Sequence, residues 1–113
     1  MAIQNSSIGT TAASIYTSSG NNAITTTIVC NTAVFDPANP TNNQTYLYLY
    51  VVPAGGSASS PATNTTIVNK LLIPAGESVM FDQEKIVFAN GDMLVAKSES
   101  PANLVATVST LAV

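Results

Sequence analysis

Residues 66–97 read TIVNKLLIPAGESVMFDQEKIVFANGDMLVAK, and this stretch decides the fold class. Three apolar runs are cut by turn residues. The run at 67–73 ends at Pro74-Ala75-Gly76, because proline fixes φ and glycine supplies conformations that a Cβ forbids. A second run covers 78–81. A third, 86–95, is interrupted by Asn90-Gly91, the strongest short-range hairpin signal when it lies between apolar runs. A type I′ turn there pairs Ala89 with Asp92, Phe88 with Met93, Val87 with Leu94 and Ile86 with Val95.

Outward from this unit the same grammar repeats. Residues 46–52, YLYLYVV, alternate cleanly. Leu47, Leu49 and Val51 lie on one face, assigned to the core; Tyr46, Tyr48 and Tyr50 lie on the other. The tyrosine face reads either as a partner surface or as cross-strand packing within one sheet, since Tyr is an apolar ring with a water-tolerant hydroxyl. Residues 24–30, ITTTIVC, are β-branched almost throughout, with Ile24, Ile28 and Cys30 expected inward and Thr25 and Thr27 outward. Residues 12–17 form an earlier strand with Ile15 and Tyr16 on opposite faces, and 103–113 a closing strand with Leu104, Ala106 and Val108 opposing Val105, Thr107 and Ser109.

Between these strands lie a turn cluster at 18–22, a Pro- and Asn-rich loop at 35–45, and a Gly/Ser/Ala-rich connection at 53–64 expected to join two sheets. No window carries helical apolar spacing with caps. Seven or eight evenly spaced strands predict an all-β chain, a two-sheet antiparallel β-sandwich, Ig-like or jelly-roll-like. Leu47, Leu49, Ile67, Leu72, Val87, Leu94 and Val108 are its expected core.

The 113 residues fit a single domain, with 1–11 as an N-terminal arm whose apolar anchors are Ile3 and Ile8. The alternative for that segment is an edge strand of its own sandwich. Charge is scarce: 8% of residues, against roughly 25% in an average soluble domain. An apolar content of 46% with so little charge describes a chain poorly protected against association, one expected to work while assembled on something.

Composition also excludes chemistry. The chain has no His and one Cys, so it lacks an imidazole base and the common nitrogen and sulfur zinc sites. Cys30 has no partner for an internal disulfide and is expected as a small buried hydrophobe. Asp82, Glu84 and Asp92 flank one hairpin, but without a glycine-rich calcium loop they make a weak metal candidate. The expectation is therefore no enzyme, no metal and no cofactor. Lys70, Lys85 and Lys97 are scattered and Arg is absent, which disfavours nucleic acid. No apolar run is long enough for a membrane-spanning helix, and no signal peptide is legible at the N-terminus.

The motifs IPAGES at 73–78, FDQEKIVFANGDMLVAKSES at 81–100 and NLVATVSTL at 103–111 resemble small virion structural proteins of tailed bacteriophages, especially short ones of cyanophages and other marine phages. The opening SSIGTTAASIYTSSG and the central LYLYVVP match the same layout, so the resemblance covers most of the chain. It rests on turns and core alternation and implies a β-sandwich virion component, first a head decoration or cement protein on the capsid surface, assembled in the host cytoplasm. The partners implied are the major capsid protein or other virion proteins, with self-association on the particle. A tail, neck or fibre subunit is the structural alternative. A carbohydrate-binding module, with Tyr46, Tyr48 and Tyr50 stacking on sugars, is the alternative from another class. Partner contacts are expected at Ile3, Ile8, Tyr46, Tyr48 and Tyr50, with the 36–45 loop or the 53–65 connection beside the arm.

Overall fold

The computed structural model describes residues 2–82 and 86–113. Among the described residues, nine strands form two antiparallel sheets: β1 (Ala2–Ile8), β2 (Ala13–Thr17), β3 (Asn22–Asn31), β4 (Thr45–Val52), β5 (Thr66–Ile73), β6 (Ser78–Phe81), β7 (Ile86–Phe88), β8 (Met93–Ser98) and β9 (Leu104–Ala112). The five-stranded sheet runs β1-β9-β3-β6, with β7 on β3 as well, and the four-stranded sheet runs β2-β8-β4-β5. Strands β6 and β7 pair along the same edge of β3 and together fill one strand position of the sheet. Counted so, the two sheets have the interlocked strand order of an eight-stranded jelly roll. This decides between the two sandwich types left open above.

The core lies between the sheets. Ile8, Ile15, Ile24, Val29, Leu47, Leu49, Ile73, Phe88, Leu94, Leu104 and Val108 meet there, fully or nearly fully buried. Burying one such side chain is worth about 1.5–3 kcal/mol. Phe88 and Tyr16, from opposite sheets, bring their ring centroids to 6.1 Å.

Of the expected 1–11 arm, the described residues do not lie free. Ala2–Ile8 pairs with β9 in unbroken register from Ala2↔Thr110 to Ile8↔Leu104. Ile8 enters the core, and its burial pins the end of the strand.

The Asn90-Gly91 turn is not a hairpin. Asp92 N–H donates to Ala89 C=O at 3.1 Å, so a four-residue turn exists. Gly91 has φ +88° while Asn90 keeps a negative φ, the sign pattern of a type II turn. Such a turn splays its strands instead of matching their twist. β7 therefore pairs with β3 and β8 with β2 and β4, in opposite sheets. The turn at Pro74–Glu77 has the same form, with Gly76 at φ +80° and Glu77 N–H on Pro74 C=O, and also carries the chain between sheets. The 53–65 connection does the reverse of what was expected. It joins β4 and β5, neighbours in one sheet.

Bulges explain the misplaced core residues. In β3 the pairing slips at Thr25, so that Thr27, Val29 and Asn31 face inward and Ile28 and Cys30 outward. Cys30 is half-buried on the outer face, not in the core. In β2 the extra residue is Ile15, which lets Ile15 and Tyr16 both reach the core. In β5, Asn69 and Lys70 together oppose Tyr48, and Ile67 is a second insertion. Val68, Leu71 and Ile73 consequently turn inward, and Ile67 and Leu72 are exposed. Val87, expected in the core, pairs with Ala23 and is 63% exposed.

Candidate interaction surfaces

Three places deserve chemistry: the outer face of each sheet and the cleft between them. On the four-stranded sheet the tyrosines of β4 point outward, and they divide into two environments. Tyr50 and Val52 pack with Ala12 and Val95, and Ala58 of the 53–65 connection closes over them. Tyr46 and Tyr48 stay half-exposed beside the lysines.

Register creates this second environment. Tyr48 lies directly opposite Lys97 on β8. The Lys97 ammonium sits 4.4 Å from the Tyr48 ring centroid, and the Lys70 ammonium 5.0 Å from that of Tyr46. Both are within cation–π range. Lys70 occupies the β5 bulge at φ +57°, a left-handed conformation rare for a side chain of this size, which sets it across the β4 edge. The Tyr48 hydroxyl donates to the Glu99 carboxylate, and Glu99 also lies 3.9 Å from Lys70. That hydrogen bond, aided by the nearby negative charge, pushes the Tyr48 phenol up to about 12. The ring faces are thus occupied by the protein's own lysines.

The outer face of the five-stranded sheet is different in kind. Ile3, Asn5 and Ser7 of β1 stand beside Ser109, Thr107 and Val105 of β9. Thr26, Ile28 and Cys30 of β3 continue the rows, then Met80 and Ser78 of β6. Leu111, Ala23 and Val87 complete the other end. Among the described residues, no strand residue on this face is charged; Glu77 and Asp82 stand just outside the ends of β6. Ile3, Met80, Val87 and Leu111 are exposed large hydrophobics on it. Thr107 donates to Asn5 Oδ1 at 2.8 Å, tying the edge strand β1 to β9.

Of the expected contact residues, the structure brings Tyr46 and Tyr48 together on one face, puts Tyr50 under the connection, sets Ile3 on the opposite sheet and buries Ile8. The uncharged face escaped the sequence reading because the bulge at Thr25 reverses which β3 residues point out. ITTTIVC carries no local mark of that slip, because β-branched Thr suits either face of a strand.

A cleft of about 600 Å³ opens between the sheets where β5 approaches β6 and β7, lined by Ile24, Leu49, Phe81, Ile86 and Leu94, with Thr27 as a polar neighbour. Among the described residues, its walls hold no convergent acid, base or nucleophile. Among the described residues no group of three metal-ligating side chains occurs. Of the acidic trio, Glu84 lies outside the described residues. Asp92 uses both carboxylate oxygens on backbone N–H groups, of Ala54 and Ala89, each at 2.9 Å.

No protein-family model, curated protein or solved structure matches the chain.

Proposed function

We propose that this chain is a structural docking module of a phage virion, a decoration or cement protein that lies on the assembled head through the outer face of its five-stranded sheet. The observation that carries the reading is the chemistry of that face. It is formed by five strands, bears no charged strand residue among the described residues, and exposes Ile3, Met80, Val87 and Leu111. A contiguous uncharged, apolar-flecked sheet face suits a partner surface more than open water. Thr, Ser and Asn between the hydrophobics supply hydrogen bonds without the desolvation cost of ions. Repetition over a symmetric shell adds avidity to a modest single contact. The virion setting comes from the sequence resemblance, and the jelly roll is a fold common among capsid proteins; both are analogy.

A sugar-binding role fits the tyrosine face less well, because Lys97 and Lys70 cover the rings of Tyr48 and Tyr46.

The test is co-sedimentation with phage heads assembled without this chain. Wild type is expected to saturate them, and Met80→Lys/Val87→Lys to bind at least about tenfold more weakly, since each change buries a charge. Equal binding of the two forms, or no binding by wild type, refutes the reading. Wild-type binding to separated tails or fibres but not heads moves it to the alternative virion sites.

A further inference from the structure

A jelly roll leaves edge strands, and an edge strand offers unpaired backbone N–H and C=O groups to any other strand. Proteins block such edges with bulges, charges, proline or short length. Three of the edges here are blocked in that way. Strand β2 is five residues long and bulged at Ile15. Strand β5 carries two bulges and Lys70. On the β6–β7 edge the described strands are short, four and three residues.

Strand β1 has none of these devices. Its seven residues, AIQNSSI, contain no charge and no proline, and its register with β9 runs without a shift. Alternation in an antiparallel ladder turns about half of its backbone groups toward β9 and leaves the rest pointing away from the sheet.

We propose that β1 pairs antiparallel with β1 of a second copy, joining two five-stranded sheets into one continuous sheet across a two-fold axis at Asn5. This inference stands apart from the virion reading. Its carrier is self-complementarity. A two-fold strand pair sets each residue against its mirror position, so any charge on the strand meets charge of the partner. An uncharged strand avoids that conflict. The register that keeps all seven residues paired sets Asn5 against Asn5 of the second copy, and Ile3 against Ser7. An amide both donates and accepts, so it can bond its own copy. Asn5 Oδ1 already accepts from Thr107, which orients the amide and leaves its NH₂ free to donate. The uncharged outer face adjoins this edge, so a copy approaching β1 meets no buried charge.

The test is sedimentation equilibrium of the full chain and two double variants at exposed, outward positions of β1. Wild type is expected at twice the 11.6 kDa chain mass. Ile3→Lys/Ser7→Lys sets like charges opposite each other twice per dimer and is expected to weaken association at least about tenfold. Ile3→Lys/Ser7→Glu sets opposite charges in the same places and is expected to keep the dimer. A monomeric wild type at its highest soluble concentration overturns the proposal, as do equal masses for both variants, dimeric or monomeric. Should a variant fail to fold, amide exchange in the wild type decides. Protection of β1 that rises with concentration upholds the pairing, and protection independent of concentration refutes it.

Discussion

The Lys97 ammonium rests 4.4 Å from the centroid of the Tyr48 ring, directly across the β4–β8 ladder. The same tyrosine donates its hydroxyl proton to Glu99. One phenol therefore joins two oppositely charged side chains on a surface otherwise poor in charge. An exposed network of this kind is worth about 0.2–1 kcal/mol per pair, so it fixes side-chain geometry more than it stabilises the fold.

Its pH signature is specific. A free phenol titrates near 10, and the bond to Glu99 holds Tyr48 to about 12. Between those values the folded chain keeps a proton that the unfolded chain has lost. Stability from this group is fully present below about 10 and declines as pH rises through about 12. Phenolate absorbance should show a late-titrating component that is missing in Tyr48→Phe and moves toward the ordinary phenol value in Glu99→Ala. A Glu99→Ala titration identical to wild type would refute the assignment.

The inner and outer faces of the four-stranded sheet predict opposite responses to truncation. Leu47 is fully buried against the other sheet, whereas Leu72 of β5, paired with Tyr46, is exposed. Leu47→Ala should cost about 2–5 kcal/mol in denaturant unfolding. Leu72→Ala should stay within about 0.5 kcal/mol. Similar losses at both sites would contradict the β5 bulges.

Gly91 has both a conformational and a steric requirement. Its φ is +88°, and a Cβ there would come within 2.9 Å of the Ala54 Cβ. Gly91→Val should lower stability by about 1–3 kcal/mol or more. An unchanged melting temperature would show that the sheet-crossing turn is not of this type.

Asn31 is a buried polar clasp. Its Nδ2 donates to the carbonyls of Ile73 and Asn43, at 3.1 and 3.0 Å, and its Oδ1 accepts from the Ala33 N–H. The 32–44 loop is thereby fastened to the end of β5. Asn31→Leu takes this amide from the buried Ile73 carbonyl and its acceptor from the Ala33 N–H, while the Asn43 carbonyl keeps Asn103 as a donor; the loss should be about 1–3 kcal/mol. Unfolding by urea measures it; a loss below about 0.5 kcal/mol would mean that water substitutes for the amide.

The strands and the two-sheet sandwich followed from local pattern: alternation in YLYLYVV and LVATVS, and punctuation at Pro74–Gly76 and Asn90-Gly91. Each is a property of a few adjacent residues, so sequence alone determined it. The aliphatic face of β4 and the inward set of β9 were legible for the same reason. Tertiary structure decided what depends on partners distant along the chain. A type II rather than type I′ turn at Asn90-Gly91 sends β7 and β8 to opposite sheets. There, MLVA of β8 buries both of its faces between the core and the Tyr50 cluster. Single-residue bulges at Ile15, Thr25, Ile67 and Asn69-Lys70 reverse which side chains meet the core, because side chains alternate with period two and one inserted residue exchanges the faces. The uncharged outer face and the unprotected β1 edge are the products of those reversals and pairings, and neither has a local signature in the sequence.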